Sequence, residues 1–293
     1  MTSLLGVIDP IAFRLGPLEV RWYGIIIAVG IFVAIWLSSK EAVKRGLDED
    51  AIVDLSLWLI PAGFIGARLY YVLFELGYYL QNPAKIIAIW EGGIAIYGGL
   101  IGGTLALIWF CRKNNIPIWL MLDIIAPHVL LAQAIGRWGN FINQEAHGGE
   151  VSRQFLENLM LPDFIINQME IGGTYYHPTF LYESVWSLIG VVLLIVLRNR
   201  ENLLKRGEVA LGYALWYSLG RFFIEGMRTD SLYLFNTPIR VSQLLSVIIF
   251  MAAIGLIVYR RKNVYPPVPY YTEGIQPEQN FEKKKNDYYK KKK

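Results

Sequence analysis

The sequence is poor in cysteine, histidine and charge. Among 293 residues there are one cysteine and three histidines, and Asp, Glu, Lys and Arg together make up 18%, where soluble domains average roughly 25%. A single cysteine excludes a disulfide-bonded scaffold. The three histidines have no spacing typical of metal-ligand pairs, and the chain has neither a GxSxG elbow nor a P-loop. We therefore expect no metal and no cofactor.

Apolar residues are abundant instead. The residues AVILMFWYC make up 54% of the chain, and the mean hydropathy is +0.36. Crossing roughly 30 Å of hydrocarbon takes about 20 mostly apolar residues, and seven segments meet or approach this length. We predict an all-α polytopic membrane domain over residues 1–259, with seven transmembrane helices and a small extracytoplasmic cap at 136–176. The predicted spans are Trp22–Ser38, Ala51–Leu73, Ile94–Phe110, Ile116–Ile135, Pro178–Leu197, Val209–Ile224 and Val241–Tyr259.

The charge is unevenly distributed along the chain. Residues 260–293 contain 10 basic and 4 acidic groups, whereas the other 259 residues contain 18 and 20. Because a nucleic-acid binder spreads basic groups over a folded face, no nucleic-acid partner is expected. We predict that residues 260–293 form a disordered basic tail, either solvated or in contact with anionic lipid head groups.

The basic residues also predict an orientation. With the N-terminus outside, the loops at 39–50, 111–115 and 198–208 and the tail lie inside and hold 19 of the 28 Lys and Arg residues. This bias follows the positive-inside rule. We therefore predict an extracytoplasmic N-terminus and a cytoplasmic C-terminus.

Four ionisable residues fall inside the predicted spans, where charge is costly. They are Asp54, Arg68, Asp123 and His128. Each of them either belongs to a functional site or forms a structural ion pair or hydrogen bond within the bundle, and the sequence leaves both readings open.

The outer end of the sixth span carries a more specific pattern. Arg221, Glu225 and Arg228 are spaced i, i+4 and i+7, so they are predicted to share one helical face. Two cations around one anion leave an excess positive charge, which a structural pair does not need. Since the guanidinium fork grips phosphate oxygens, this face predicts an anionic ligand such as a phospholipid phosphate.

Four further polar or glycine-rich clusters lie at the outer ends of other predicted spans. They are residues 21–24, 96–103, 136–149 and 177–183. Taken singly, the clusters at 21–24, 96–103 and 177–183 read as interface anchors, helix starts or sites of close helix packing. Their common position predicts one shared site that faces the outer leaflet.

Five motifs occur in order between about residues 9 and 259. They are WYG at 22–24, GGLIG at 98–102, GRxGNFINxE at 136–145, HP with LYE at 177–183, and Arg221 with Glu225 and Arg228. Together they resemble the bacterial prolipoprotein diacylglyceryl transferase family, and the 136–145 run is the most specific. The resemblance implies an enzyme of the bacterial plasma membrane. It also implies transfer of the diacylglyceryl group of phosphatidylglycerol to the lipobox cysteine thiol of a preprolipoprotein, with release of glycerol 1-phosphate.

The resemblance also implies roles for individual residues. Arg137 and Arg221 would stabilise charge developing on the phosphate leaving group, and Tyr97 is a third candidate catalytic residue. The candidate substrate-binding residues are Tyr23, Gly98, Gly99, Asn140, Asn143, Glu145, His177, Glu225 and Arg228, together with Arg137.

Position 97 departs from the family pattern. Many members carry His immediately before GGLIG, a residue cast as the base for the substrate thiol, whereas this chain has Tyr97. A phenol is a poor base at neutral pH. Either no base is needed there, or another group such as Glu225 or His177 serves.

Two other functions are compatible with a polar membrane bundle. A transporter of anionic solutes would place its polar groups near the membrane midplane on discontinuous helices, whereas here they gather at the outer ends. A non-catalytic lipid-binding or scaffold protein would not need three arginines around one phosphate-sized site. The transferase is therefore the preferred prediction.

Overall fold

The computed structural model describes residues 7–16, 18–234 and 237–274. Most of them are helical, and seven of the helices within this part of the chain are 18 or more residues long. The helices are α1 (Trp22–Lys44), α2 (Ala51–Phe74), α3 (Leu76–Gln81), α4 (Ile96–Lys113), α5 (Ile118–Asn143), α6 (Arg153–Asn158), α7 (Asp163–Gln168), α8 (Thr179–Arg198), α9 (Glu208–Glu225) and α10 (Val241–Lys262).

Five of the helices, α1, α2, α5, α8 and α10, are long and apolar enough to cross a membrane. Helices α4 and α9 have only 18 residues each. The last turn of α4 holds Arg112 and Lys113, and α9 carries Arg221 between two glutamates. The prediction of a mostly helical, polytopic membrane protein is confirmed at this level, and crossings by α4 and α9 stay a prediction.

Helix α5 lies at the centre of the bundle. It packs against α1, α4, α8 and α9, while α2 packs mainly on α4 and α10 on α9. Leu120, Met121 and Ile124 of α5 are fully buried. Outward-facing side chains such as Phe32 of α1 and Met251 of α10 are exposed and apolar, as expected for surfaces solvated by lipid.

Small residues bring α2 and α4 into close contact. Gly98 and Gly102 of α4 face the backbone carbonyls of Gly66 and Ala62, and a Cβ atom at either position would overlap those oxygens. This is the small-residue packing used between membrane helices. The GGLIG element thus serves helix packing in this structure.

Two small antiparallel sheets were not expected in a chain predicted to be all-α. Strands β1 (Ile11–Leu15) and β2 (Leu18–Arg21) form a hairpin that leads into α1. Strands β3 (Glu150–Val151), β4 (Glu170–Ile171) and β5 (Thr174–Tyr176) pair in the order β3–β5–β4. Strands of two to five residues are too short for a clear periodic hydrophobic pattern, so they could not be predicted from the sequence.

The segment between α5 and α8 is shorter than predicted. Helix α5 ends at Asn143, and the next residue, Gln144, has a left-handed backbone with φ of 53°. The GRxGNFIN run is therefore helical, not part of a cap that begins at residue 136. Its glycines suit close packing, since a Cβ on Gly139 would lie 2.5 Å from the Tyr23 ring. The remaining segment packs around Leu156 and Ile166, against Phe141 and Phe180.

The C-terminal part also differs from the expectation of a tail disordered from residue 260. Helix α10 runs to Lys262, and a 3-10 turn follows at Tyr271–Glu273. Tyr271 is fully buried, and its hydroxyl donates to Glu41 Oε1 at 2.8 Å. The prediction is wrong for 260–274, whereas the lysine-rich residues 283–293 lie outside the described part of the chain.

Candidate lipid-phosphate site

A largely apolar cavity of about 550 Å³ lies between α1, α2 and α5. Tyr23, Arg137 and Asn140 line one end of it, with Ile96 of α4 nearby, and Ser38 and Ile52 line the opposite end. We call the first of these the site end of the bundle. An elongated apolar cavity with a guanidinium at one end has the chemistry that suits an anionic lipid.

Arg137 projects from α5 at the site end. Its Nε lies 2.6 Å from Glu183 Oε2, and its side chain is 21% exposed. Neither terminal nitrogen of Arg137 makes a hydrogen bond to any residue that the structure describes. Arg137 is thus anchored through one nitrogen while it lines the cavity.

Glu183 of α8 connects Arg137 to Arg221 of α9. Its Oε1 accepts a hydrogen bond from Arg221 Nη1 at 3.0 Å, and the residue is 7% exposed. Arg221 Nη2 lies 2.6 Å from Oε2 of Glu225. The result is a chain of alternating charge, Arg137–Glu183–Arg221–Glu225, that joins three helices.

This arrangement corrects the predicted excess of positive charge on α9. Helix α9 ends at Glu225, so Arg228 lies beyond it and pairs with Asp230 at 2.7 Å. Glu183, from a different helix, balances a second arginine. The prediction considered only neighbours along one helix, and the compensating carboxylates come from elsewhere in the chain.

A reciprocal pair of tryptophans holds α8 and α9 together next to Glu183. The Trp186 and Trp216 rings stack 4.3 Å apart, and each indole Nε1 donates to the backbone oxygen of the other residue, at 3.0 and 2.9 Å. Gly190 and Gly220 leave room for the rings, since a Cβ atom on either would overlap an indole. Trp186 is one helical turn from Glu183, so this contact sets where Glu183 meets Arg221.

Asp123 orients α9 from the opposite end. Its carboxylate accepts hydrogen bonds from the backbone N–H groups of Gly207 and Ala210, at 2.5 and 2.8 Å. These belong to the first turn of α9, where free N–H groups need an acceptor and favour negative charge. Asp123 therefore acts as a helix cap supplied by another helix.

The end of α5 contributes an amide and carboxylate group beside Arg137. Asn140 Nδ2 donates to Glu145 Oε1 at 2.8 Å, and Asn143 Nδ2 reaches the same oxygen at 3.4 Å. Asn140 and Tyr23 also line the cavity. The structure thus gathers Tyr23, Arg137 and Asn140 around one opening, although they come from two helices.

The comparisons with known proteins identify the family of this chain. A family model described as "Prolipoprotein diacylglyceryl transferase" matches residues 10–259. The chain belongs to this family. A protein of Lactobacillus acidophilus named phosphatidylglycerol–prolipoprotein diacylglyceryl transferase is 58% identical over 274 residues, which cover 94% of this chain and 96% of the relative.

Two further relatives carry the same name. The Pediococcus pentosaceus protein is 55% identical and covers 94% of this chain and 99% of its own length. The Lactiplantibacillus plantarum protein is 57% identical and covers 90% of this chain and 93% of its own length. The chain therefore spans nearly the full length of these family members.

Tyr97, at the position where many members of the family have His, lies in the first turn of α4. It is 41% exposed, and its ring lies 6.4 Å from that of Tyr70. The cavity is lined by the neighbouring Ile96 and not by Tyr97. Gly98 and Gly99 face α2 across the helix crossing. The catalytic role of Tyr97 and the substrate-binding roles of Gly98 and Gly99 therefore stay predictions.

His177 and Arg228 lie at the edge of the segment between α5 and α8. His177 Nδ1 is 3.2 Å from the Tyr182 hydroxyl, and its ring meets Phe155 edge-on at 4.9 Å. Burial lowers the pKa of His177, so the imidazole is neutral at physiological pH. Hydrogen bonding from Arg228 lowers the pKa of Asp230, which keeps that pair ionised.

The four ionisable residues that were predicted to lie inside the spans either have structural partners or are exposed. Arg68 donates to the carbonyls of Lys85, Ile86 and Gly92, at 2.6 to 2.8 Å, and so holds the loop before α4. His128 Nδ1 lies 2.9 Å from Ser38 Oγ, and Asp54 is exposed in the first turn of α2. The structural reading therefore fits Arg68, Asp123 and His128.

Glu183 belongs to the predicted cluster at 177–183, but no individual role was predicted for it. It stands in the LYE motif and within an otherwise apolar helix, where a carboxylate is costly. The same criterion that singled out Asp123 and Arg68, an ionisable residue within a predicted span, also applies to Glu183.

Proposed function

We propose that this protein transfers the diacylglyceryl group of phosphatidylglycerol to the lipobox cysteine thiol of preprolipoproteins and releases glycerol 1-phosphate. The observation that carries the proposal is Arg137, anchored through Nε to Glu183 at 2.6 Å at the mouth of an apolar cavity. Family membership and the names of close relatives support the same reaction.

The chemistry follows from this arrangement. The acyl chains of the lipid occupy the apolar cavity, and the phosphate lies against Arg137. The substrate cysteine reacts as its thiolate. Its sulfur forms a bond to the carbon that joins the diacylglyceryl unit to the phosphate. The bond from that carbon to the phosphate oxygen breaks, and glycerol 1-phosphate leaves.

The protein supplies electrostatic stabilisation to this step. Negative charge grows on the departing phosphate. The guanidinium of Arg137 favours that charge directly, and Arg221 supports it from behind Glu183, with which it is paired. The nucleophile belongs to the protein substrate, which agrees with the burial of Cys111, the chain's single cysteine. Burial also keeps that thiol unreactive.

The proposal includes an orientation in the bacterial plasma membrane. We place all seven long helices across the bilayer, with the N-terminus and the site end on the extracytoplasmic face and the C-terminus in the cytoplasm. The excess of basic residues in the loops at the opposite end supports this orientation. Reporter fusions test it: a fusion at Asn202 that is active only outside the cell would reverse it.

A reconstituted assay tests the reaction. Purified protein in nanodiscs containing phosphatidylglycerol is mixed with a lipobox peptide, and the peptide mass and glycerol phosphate release are followed together. We expect equimolar modified peptide and glycerol phosphate. Two controls are a peptide with serine in place of the cysteine and nanodiscs of phosphatidylcholine alone, and both should be inactive.

The same assay separates the alternatives. Lipid binding without modified peptide would indicate a lipid-binding or scaffold protein. Accumulation of an anionic solute inside proteoliposomes without peptide modification would indicate a transporter. Either result would overturn the transferase proposal.

A further inference from the structure

Glu183 makes one contact with each of the two arginines at the site end. Its Oε2 lies 2.6 Å from Arg137 Nε, and its Oε1 lies 3.0 Å from Arg221 Nη1. The carboxylate is buried and belongs to α8, whereas the arginines belong to α5 and α9. One side chain therefore fixes the relative position of two cations on two other helices.

The two arginines are engaged differently. Both terminal nitrogens of Arg221 meet carboxylates, one from Glu183 and one from Glu225. Arg137 uses Nε for Glu183, and its terminal nitrogens make no hydrogen bond to another residue in the described part of the chain. Only Arg137 of the two lines the cavity. Arg137 thus keeps its fork for a ligand, and Arg221 does not.

We propose that Glu183 is a positioning residue that holds Arg137 Nε so that its two terminal nitrogens face the cavity as a fork for the lipid phosphate. The inference rests on the proposed function. The guanidinium fork matches phosphate oxygens in pairs, and the ion pair at the third nitrogen restricts the orientations that the fork can adopt. Arg221 pairs with Glu183 and is itself paired with Glu225. Glu225 and Arg221 therefore position Glu183, and Glu183 positions Arg137.

Glu183 also supplies charge balance before the lipid arrives. Two half-buried cations without counter-charges would be costly, and the two carboxylates remove that cost. Removing the charge of Glu183 should therefore affect binding and turnover in opposite directions. The uncompensated arginines attract the anionic lipid at least as strongly, but Arg137 is no longer held in its productive orientation.

The substitution Glu183→Gln keeps the shape of the side chain and removes its charge. We expect kcat to fall about 100-fold, the loss typical of one misplaced transition-state donor, while KM for phosphatidylglycerol stays equal or falls. A purely structural role would lower the melting temperature and leave kcat per folded molecule unchanged, which would overturn the inference.

Two further variants distinguish a positioning role from misfolding and from the general loss of a buried charge. Glu183→Asp keeps the charge but is one methylene too short to reach both arginines, so it should recover part of kcat and should fold where Glu183→Gln does not. Glu208→Gln is the matched control, because Glu208 is also buried and ion-paired, to Arg261 at 2.6 Å, at the opposite end. Its kcat should equal that of the wild type, and a fall like that of Glu183→Gln would overturn the inference.

A double-mutant cycle tests whether Glu183 acts through Arg137. Lysine has no Nε to be held, so Arg137→Lys should already lose what Glu183 provides. The double variant should then turn over within about threefold of the slower single variant, since coupled residues are non-additive. Multiplied losses would overturn the inference. Absence of transfer by the wild type would instead overturn the proposed function, and the inference with it.

Discussion

At the scale of single residues, Arg137 and Arg221 are alike in sequence but unequal in the structure. Arg137 lines the cavity with a free fork, whereas Arg221 is held by Glu183 and Glu225. Their pairing with carboxylates also fits a role in holding the helices together. Substitutions distinguish the two roles, because a role in the reaction lowers turnover without requiring a loss of stability.

We predict that Arg137→Ala and Arg221→Ala each reduce turnover by at least about 10²–10³, the effect of removing or misplacing one oxyanion donor. Arg137 contacts the phosphate in our proposal, and Arg221 holds the Glu183 carboxylate that positions Arg137. Arg137→Lys and Arg221→Lys should recover only part of the loss, because lysine keeps the charge without the planar fork. Turnover is compared between variants whose melting temperatures in detergent match that of the wild type. Stable alanine variants with near-normal turnover would contradict the phosphate role.

Tyr97 gives a second test at this scale. The residue is partly exposed and does not line the cavity, so we predict that Tyr97→Phe keeps most of the activity and that Tyr97→His is tolerated. The measurement is kcat with phosphatidylglycerol and lipobox peptide. If Tyr97→Phe abolishes transfer in a protein of normal stability, the hydroxyl takes part directly in the chemistry.

At the scale of secondary-structure elements, the position of Glu183 depends on how α8 meets α9. The reciprocal Trp186–Trp216 contact and the Asp123 cap fix α9 at two points along its length. Neither feature touches the cavity. The geometry of the charged chain is therefore set by apolar packing and a helix cap, and not by the charges alone.

We predict that Gly220→Ala lowers both the melting temperature and kcat. The added methyl group would overlap the Trp186 indole, so α8 and α9 must separate and Glu183 must move relative to Arg221. Overpacking of this kind typically costs about 1–3 kcal/mol. Gly255→Ala on α10 is the matched control, because nothing lies within 4 Å of its Cβ position. A Gly220→Ala protein that behaves like the control would show that the Trp contact does not set the site.

At the scale of the whole molecule, residues 264–274 tie the opposite end of the bundle together. Glu41 of α1 accepts hydrogen bonds from Tyr271 and Arg45, both at 2.8 Å, and from Arg198 of α8 at 3.2 Å. Burial raises the pKa of Tyr271, so its hydroxyl stays protonated and donates. Tyr271 N also donates to Leu204 O at 2.8 Å, which joins the segment to the α8–α9 loop.

Two truncations separate this segment from the residues beyond it. Deletion of Gln276–Lys293 should leave turnover within about tenfold of the wild type, roughly 1.4 kcal/mol of barrier, because the attachment point lies at the end opposite the site. Deletion from Val264 onward also removes Tyr271 and leaves the buried Glu41 without one of its hydrogen-bond donors, which costs about 1–3 kcal/mol for an unsatisfied group.

Thermal unfolding in detergent and turnover are measured for both truncated proteins. We expect a lower melting temperature only for the longer deletion. Equal melting temperatures would show that Tyr271 contributes little to stability. A turnover loss greater than tenfold in the shorter deletion, at normal protein levels, would show that residues 276–293 act in catalysis.

The membrane class and the long helices could be predicted from the amino-acid sequence alone, and so could several residues of the candidate site. A long apolar segment within a membrane satisfies its backbone hydrogen bonds by forming a helix. The seven predicted segments all fall on helices in the structure. Arg137, Asn140 and Arg221 were visible because polar residues at helix ends stand out against an apolar background. The motif order identified the family, which the comparisons confirmed.

The pairing of the charged side chains could be seen only in the fold. Glu183 lies 46 residues from Arg137 along the chain and 38 from Arg221, and helical periodicity says nothing about contacts between helices. For the same reason the net charge of the α9 face, the cap that Asp123 gives α9 and the burial of Tyr271 were not predictable. These features depend on which faces of different helices meet, and close packing of many side chains at once decides that.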